Sequence, residues 1–360
     1  MLKSPLHTEE NIRAAQAAQK QKKKKHSQLL EVWTRFRRNP IAMVGLVIIV
    51  LMVILAAIAD LVAPGTDIHP GYAIQHRGHA FLPPSFSINS DLQYNPWTGE
   101  YEEMGTGERH IFGTDHLGRD VFARIAHGSR ITLMVGFVVV SVSMTLGVAL
   151  GSIAGFYGKF ADNIIMRVID VVLAMPTILL AIVIAAALDL GVWGVMVAVG
   201  IGAIPGFARI TRAQVLTIRE QEFIEAAHSA GASDFRLIFR HVIPNCTAPI
   251  IVEATMGMAG AIAAAAALSF LGLGVQSPTP EWGAMLSEGR QFIVRGEWHL
   301  ILFPGIAIAL IIFALNMMGD GLRDAFDPRL RGASFSKRRF KRIVKAKQKA
   351  DSTQTKEGTV

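Results

Sequence analysis

The sequence contains one cysteine, Cys246, among its 360 residues. A single cysteine excludes an intrachain disulfide framework and a zinc site built on several cysteines. Charged residues are also scarce, at 18% of the chain, whereas a soluble domain usually carries about 25%. Because 51% of the residues are hydrophobic, the composition predicts a polytopic membrane protein.

Motifs for catalysis are missing as well. The Gly-Lys pair Gly158-Lys159 is followed by Phe160 and lacks the upstream glycine of a phosphate-binding P-loop. The sequence has no HExxH motif, and its long apolar segments consist mostly of Val, Ile, Ala, Gly and Met. We therefore predict that the chain is not an enzyme and holds no catalytic residue, metal or cofactor of its own.

Six apolar segments are long enough to cross a bilayer. They lie near 41–63, 131–154, 164–187, 192–212, 248–271 and 300–319. The first would form a helix of roughly 34 Å, which exceeds the hydrocarbon core of about 30 Å. Pro205 interrupts the fourth, which is tolerated where neighbouring helices satisfy the freed backbone groups. We predict an all-α fold with six transmembrane helices.

Positive charge is concentrated at the two ends of the chain. Residues 1–40 hold ten Lys and Arg against three acids, and residues 322–360 hold twelve against four, whereas the loop 64–129 holds four against eight. The positive-inside rule then predicts that both termini are cytoplasmic, that this loop is external and that 213–247 faces the cytoplasm. We attribute the net charge of +8 to topology and anionic lipid rather than to nucleic acid.

The same patterns divide the chain into five parts. Residues 1–28 form a basic tail that cannot bury a core, so we expect disorder there. Residues 29–63 comprise a short helix lying in the headgroup plane and the first span. An extracytoplasmic loop (64–129), a core that contains the remaining five spans (130–321) and a second basic cytoplasmic tail (322–360) follow.

The polar segment 213–247 is patterned as two short helices. Gly231 is expected to end the first, because glycine adopts the left-handed conformation at little cost. Ser233 can cap the second, and Pro244 is expected to stop it. One apolar stripe is predicted on the second helix, formed by Phe235, Ile238, Phe239 and Val242. The stripe either folds back on the spans or is covered by a soluble partner.

Several of these residues resemble a known loop. Glu225-Ala226-Ala227, Gly231, Ile238 and Pro244 are similar to the EAA…G…I-x-L-P loop of bacterial ABC-importer permeases, with Ile243 where leucine is usual. The resemblance implies a type I permease core whose cytoplasmic coupling loop enters a cleft of a separate ATPase, which would hold ATP and Mg. The coupling residues that it implies are Glu225, Ala226, Ala227, Gly231, Ser233, Phe235, Ile238, Phe239 and Pro244.

Three further segments resemble dipeptide, oligopeptide and nickel permeases. They are FGTDHLGRDVFARIAHGSR (112–130), LSFLGLGVQSPTPEWGAML (268–286) and GDGLRDAFDPRLRG (319–332). The N-terminal layout is similar to that of the second, C-type permease of those heterodimers. The resemblance implies a bacterial inner-membrane subunit that imports peptides, with a homologous permease, two ATP-binding subunits and an extracytoplasmic solute-binding protein as partners.

Alternatives stay open at this point. Nickel or glutathione could replace peptides as cargo. An ion-coupled secondary transporter would need paired carboxylates at the midplane, and a membrane-tethered scaffold would depend on the basic tails. No substrate-binding residue is identified from the sequence.

The loop 64–129 and its end contain two candidate polar sites. Six histidines could suggest a nickel or zinc site, but their spacing matches no common one, so we expect solvated residues: His69, His76, His79, His110, His116 and His127. Asp115, Arg119 and Asp120 invite a substrate-binding interpretation. We favour a structural one, in which Asp115 caps a helix whose apolar residues face the membrane: Val121, Phe122 and Ile125.

Polar and small residues inside the spans are the last candidates. Arg167 and Asp170 share a helical face and are predicted to pair. Glu253 is an intramembrane charge without an evident partner. A stripe of small residues in the second span allows close helix approach, as a moving interface or, as we favour, as static packing: Gly147, Gly151 and Gly155.

Overall fold

The computed structural model describes residues 28–63, 70–75, 80–84, 92–94, 101–103 and 110–327. Before the core these form α1 (Gln28–Phe36), α2 (Pro40–Ala57), α3 (Ala59–Val62) and a 3-10 turn (Gly71–Ala73). A two-stranded antiparallel hairpin, which the sequence did not predict, follows as β1 (Leu92–Tyr94) and β2 (Tyr101–Glu103). The tail 1–27 and the tail beyond 327 lie outside the described residues.

The core consists of helices joined by turns and by one longer non-helical segment, residues 271–281. In chain order it contains α4 (Val121–Tyr157), α5 (Lys159–Ala174), α6 (Thr177–Leu188), α7 (Val192–Arg219), α8 (Glu222–Ser229), α9 (Asp234–Leu237), a π turn (Ile238–Val242), α10 (Ile243–Phe270), α11 (Trp282–Gly289), a 3-10 turn (Arg290–Arg295) and α12 (His299–Phe326). The helical elements thus follow the predicted class, an all-α polytopic membrane protein.

Five helical stretches are long and apolar enough to cross a membrane. They are Pro40–Ala57, Val121–Tyr157, Val192–Arg219, Asp234–Phe270 and His299–Phe326. The predicted third span, 164–187, is a sixth only if α5 and α6 are counted together, because they meet at 90°.

The single helix predicted over 164–187 is therefore wrong. The residue before a proline is pushed out of the helical region, since its backbone would clash with the proline ring. Met175, which precedes Pro176, is accordingly extended, with φ −91° and ψ 137°. The break between α5 and α6 follows from this local effect.

Asp120, rather than Asp115, caps α4. Its Oδ1 accepts a hydrogen bond of 2.8 Å from the backbone N–H of Ala123, and this satisfies a free donor of the first helical turn. Val121 and Ile125 are buried, at 1% and 5% exposure, so the expectation that they face the membrane is wrong.

The stripe of small residues packs α4 against α7. A Cβ added to Gly147 would lie 2.5 Å from Cβ of Phe207, and one added to Gly151 would lie 2.4 Å from the carbonyl oxygen of Ala208. Gly155 is similarly close to Val215. Side chains larger than hydrogen would separate the helices, so the predicted close approach is confirmed, and static packing stays a prediction.

Two compact units divide the chain: Met1–Met43 with Gly321–Val360, and Val44–Asp320. In the first, Asn39 caps α2, since its Oδ1 accepts from the N–H groups of Ile41 and Ala42 at 3.1 and 3.3 Å. Gly321 lies against Ala42 and Phe36, with no space for a side chain.

The second unit has its apolar core between α4, α6, α7 and α10. That cluster includes Val135, Val139, Ala181, Ala185, Val195, Phe207 and Leu268. A second cluster surrounds Trp282 of α11, which is fully buried and donates its indole N–H to the carbonyl oxygen of Ile125 at 3.1 Å. The first cluster holds the spans together, and the second holds α11 against them.

Candidate coupling site and the charged residues of the core

The turn between α8 and α9 is built as the sequence predicts. Helix α8 ends at Ser229, and Gly231 has φ +83°. The N–H groups of Ala230 and Ala232 donate to the carbonyl oxygens of Ala226 and Ala227 at 3.0 and 3.1 Å. These bonds satisfy carbonyl groups that a helix end otherwise leaves free. The prediction of a left-handed glycine at Gly231 is confirmed.

Ser233 occupies the N-cap position of α9. Its backbone is extended, with φ −69° and ψ 153°, but its side chain makes no capping hydrogen bond. Its carbonyl oxygen accepts the first intrahelical bond, from Leu237, at 2.9 Å. The position is therefore as predicted, whereas the side-chain cap is absent.

The predicted apolar stripe divides into two faces. Ile238 and Val242 are buried, at 7% and 0% exposure, whereas Phe235 and Phe239 are 70% and 57% exposed. The rings of the two phenylalanines are in contact, with centroids 4.4 Å apart and planes inclined at 36°. One half of the stripe thus folds back on the spans, and the other half is left uncovered by this chain.

Pro244 does not stop the helix, contrary to our expectation. The helical stretch is continuous from Asp234 to Phe270, and the π turn Ile238–Val242 lies directly before the proline. A proline lacks an N–H and its ring clashes with the preceding turn. The wider π turn, in which Ile243 N–H bonds the carbonyl of Ile238, accommodates Pro244 without ending the helix.

A small apolar cluster anchors this segment, and sequence reasoning missed its central residue. Ile224 of α8 is 4% exposed and is grouped with Val215 of α7 and with Val242, Cys246 and Ile250. Ile224 is the buried position of an otherwise exposed short helix. Its apolar character in a helix with polar residues at both ends was the available signal.

Glu225 and Ala226 are exposed beside this anchor. The Glu225 carboxylate makes no hydrogen bond or ion pair with any residue that the structure describes. We call the exposed set of Glu225, Ala226, Phe235 and Phe239 the coupling surface. It combines an unpaired carboxylate with a contacting aromatic pair, and the buried Ile224 cluster holds it in place.

Two family models match the sequence. Residues 147–332 match the binding-protein-dependent transport system inner membrane component, and residues 27–84 match the N-terminal transmembrane domain of oligopeptide transport permease C. The chain belongs to the family of binding-protein-dependent transport system inner membrane components. The members of this family are transport permeases, not enzymes.

Relatives of the permease extend over most of its length. A dipeptide transport system permease protein of Alkalihalophilus pseudofirmus is 42% identical over 301 residues, covering 84% of this chain and 90% of the relative. A glutathione transport system permease protein of Escherichia coli O157:H7 is 40% identical over 304 residues, covering 84% and 91%. A methionine ABC transporter in an inward-facing conformation is 18% identical, with a TM-score of 0.47, covering 56% and 96%.

Asp115 and Arg119 belong to a buried ionic cluster in the permease. Asp115 Oδ2 lies 2.6 Å from Arg119 Nε and 2.8 Å from Arg124 Nη1. Glu288 of α11 binds the same two guanidinium groups, at 2.9 and 2.7 Å. The arginines are 1% and 2% exposed. The cluster fixes α11 to the start of α4, which agrees with the structural interpretation.

The same cluster tests the metal hypothesis. Carboxylate and imidazole atoms of Asp115, His116 and Glu288 all lie within 4.8 Å of one another, which is close enough to surround an ion. However, Arg119 and Arg124 already bind both carboxylates, and two positive groups in contact with the ligands would repel a divalent cation. These residues do not fit a metal.

His110 and His127 are not the solvated loop residues that we had expected. His110 is 1% exposed and its Nδ1 lies 2.7 Å from Asp120 Oδ2. His127 is 5% exposed and its Nε2 lies 3.1 Å from Asp60 Oδ1. Their role in the permease is to connect segments by hydrogen bonds. His69, His76 and His79 lie outside the described residues.

The predicted pair Arg167–Asp170 is replaced by pairs between helices. Asp170 of α5 binds Arg209 of α7 at 2.6 Å. Asp162 binds Arg212 through both carboxylate oxygens. Because α7 packs alongside α5, its arginines reach the acids of α5 more directly than Arg167 does.

Proposed function

We propose that this permease is a subunit of an ATP-driven importer that carries dipeptides and short oligopeptides into the bacterial cytoplasm. The observation that supports this most strongly is the 42% identity to a dipeptide transport system permease over 84% of the chain. The chain has no P-loop, so ATP and Mg would be held by separate subunits. The chain belongs to a family of binding-protein-dependent transport components. This membership favours the proposed function over an ion-coupled secondary transporter or a scaffold.

Two ATP-binding subunits are the proposed occupants of the coupling surface and its equivalent on a homologous permease. Phe235 and Phe239 are more than half exposed, and burying a phenylalanine contributes about 1.5–3 kcal/mol. Aromatic residues, phenylalanine among them, are enriched in protein interfaces. Glu225 supplies a carboxylate for a basic group of the partner.

Transport would follow from movement of this surface. ATP binding draws the two ATPases together, and each carries the coupling segment of its permease with it. Ile224 and Val242 connect the segment to α7 and α10 through a common buried cluster. A displacement of the segment therefore shifts the cytoplasmic ends of the spans between inward- and outward-open arrangements.

The topology proposed for this function places both basic tails in the cytoplasm and the loop 64–129 outside. The external side would receive peptides from a solute-binding protein. A homologous permease would cover one side of the spans and complete the pathway. The distribution of Lys and Arg in the sequence supports this orientation.

Uptake by a deletion strain tests the proposed cargo. An amino-acid auxotroph that lacks this gene is expected to lose growth when a dipeptide is its only source of the required amino acid. Growth should return when the gene is restored. Unchanged growth and unchanged uptake of a radiolabelled dipeptide in the deletion strain would refute peptide import.

Glutathione is a second candidate cargo, because one relative 40% identical is a glutathione permease. Glutathione is itself a tripeptide, so the two candidates are compared directly by competition. If excess glutathione abolishes dipeptide uptake while excess dipeptide leaves glutathione uptake unchanged, glutathione is the preferred cargo. The reverse result supports dipeptides.

A further inference from the structure

Glu253 is a charged residue inside a membrane-spanning helix, and its carboxylate has no hydrogen-bond or ion-pair partner among the described residues. It lies in α10 and is partly exposed. Its Oε1 lies 3.1 Å from the position that a Cβ would occupy on Gly206 of α7. A side chain at Gly206 would therefore crowd the carboxylate, and the glycine is what lets Glu253 lie against α7.

A positive charge follows on the same face of α7. Arg209 is three residues beyond Gly206, so the two positions are neighbours on the helix surface, with Cβ positions about 5–6 Å apart. The Arg209 side chain is 54% exposed and pairs with Asp170 through one nitrogen, Nη2. Its other donors make no hydrogen bond among the described residues.

Charges in this arrangement are not suited to contact with lipid. A charged side chain within the hydrocarbon region is costly unless it faces a water-filled cavity or another polar group. Glu253 and Arg209 are both partly exposed and carry opposite charges. Their surroundings must therefore be a polar pathway or a polar surface of a partner.

We propose that Glu253 and Arg209 form a binding site for the zwitterionic ends of a short peptide on its way through the pore. Glu253 receives the N-terminal ammonium group, and Arg209 the C-terminal carboxylate. The Glu253 carboxylate lies against Gly206, Arg209 follows three residues further along the same face of α7, and an extended dipeptide spans about 7 Å. This inference rests on the proposed function, since it requires that peptides are the cargo.

The test compares wild-type transporter with Glu253→Gln and Glu253→Asp. The complete transporter with its binding protein is reconstituted in proteoliposomes, and uptake of radiolabelled alanyl-alanine is measured at pH 7 and pH 9. Uptake is normalised to the amount of assembled complex that co-purifies. Wild-type and variant transporters use the same binding protein. Its preference among substrates therefore affects both uptake rates equally and cancels in their ratio.

At pH 7 we expect Glu253→Gln to lower uptake about tenfold, the effect of losing one charge-assisted hydrogen bond. Glu253→Asp keeps the charge and should retain most of the uptake. The pKa of a peptide amino group lies near 8, so at pH 9 most substrate has lost its positive charge. The ratio of wild-type to Glu253→Gln uptake should then fall towards one.

A Glu253→Gln variant with wild-type uptake at pH 7 would overturn the site. So would a tenfold loss that is the same at pH 7 and pH 9, because that result indicates a structural pairing of Glu253 with another subunit. A wild-type transporter that takes up no dipeptide at either pH would instead overturn the proposed function on which the site depends.

Discussion

Phe235 and Phe239 contact each other on the outer side of a helix whose inner side is buried. Their ring centroids are 4.4 Å apart. On the inner side of the same helical stretch, Ile238 and Val242 are 7% and 0% exposed. The buried pair anchors the segment to the spans, while the exposed pair is available to a partner. This division of one apolar stripe is the structural basis of the proposed coupling role.

Truncation of the aromatic pair should weaken binding of the ATPase without unfolding the permease. We expect Phe235→Ala and Phe239→Ala each to reduce affinity by about tenfold, or about 1.4 kcal/mol. The measurement is co-purification of the ATP-binding subunit from detergent extract. Phe137→Ala is the matched control, because Phe137 is 66% exposed on α4. Equal loss in the control would contradict a specific role of the pair.

Reversal of charge at Glu225 should also weaken assembly. The Glu225 carboxylate is exposed and unpaired within the described part of the chain, so Glu225→Lys should repel a basic group of the ATPase while leaving the melting temperature of the isolated permease unchanged. Glu225→Gln should have a smaller effect. Undiminished co-purification of the ATPase with Glu225→Lys would refute the pairing.

Substitution of Gly231 tests whether the turn must be left-handed. No atom lies within 4 Å of a Cβ added to Gly231, but its φ is +83°, so the constraint is conformational rather than steric. We expect Gly231→Val to reduce peptide uptake per ATP hydrolysed, and Gly231→Asn to be better tolerated because asparagine adopts positive φ more readily. Normal coupling in Gly231→Val would show that the turn is not needed.

Removal of Asp115 should destabilise the permease strongly. Asp115→Ala leaves Arg119 and Arg124 buried with one fewer carboxylate, and breaking a buried ion pair costs about 3–5 kcal/mol. Thermal unfolding in detergent is the measurement. Asp170→Asn is the matched control, since the Asp170–Arg209 pair is more than half exposed and such pairs contribute about 0–1 kcal/mol. Similar melting temperatures would contradict the buried cluster.

Asp60 gives a prediction for acidic pH. Hydrogen bonds from Arg130 and then from His127 hold the pKa of Asp60 below its ordinary value. A carboxylate with a lowered pKa stabilises the folded state above its unfolded pKa, about 3.9, and this contribution is lost as the pH falls through the folded pKa. Hydrogen exchange near Ala56 and Ala57, whose carbonyl oxygens Arg130 binds, should therefore increase below about pH 4. Asp60→Asn should remove this dependence, and an unchanged pH profile would refute it.

Local patterns in the sequence were sufficient for several elements. The apolar segments predicted the membrane-spanning helices, because an uninterrupted apolar helix is long enough to cross the bilayer wherever it occurs. Gly231 predicted the turn after α8, because glycine adopts a positive φ at little cost. Gly147 and Gly151 predicted a close helix contact, because residues without a side chain let two helix backbones approach each other.

Other features depended on neighbours that a sequence pattern does not show. Phe235 and Ile238 have the same apolar character, yet packing against α7 and α10 buries only Ile238. Arg167 and Asp170 are three residues apart on one helix, a spacing that allows an ion pair. Nevertheless, Asp170 binds Arg209 of another helix.

The sequence by itself determined which segments are apolar, where they can turn and which family the chain belongs to. Only the tertiary structure decided which face of each helix is covered, which acid meets which base and that the Glu253 carboxylate lies against Gly206. The physical reason is that helix formation depends on residues a few positions apart, whereas burial and ion pairing depend on residues brought together by packing.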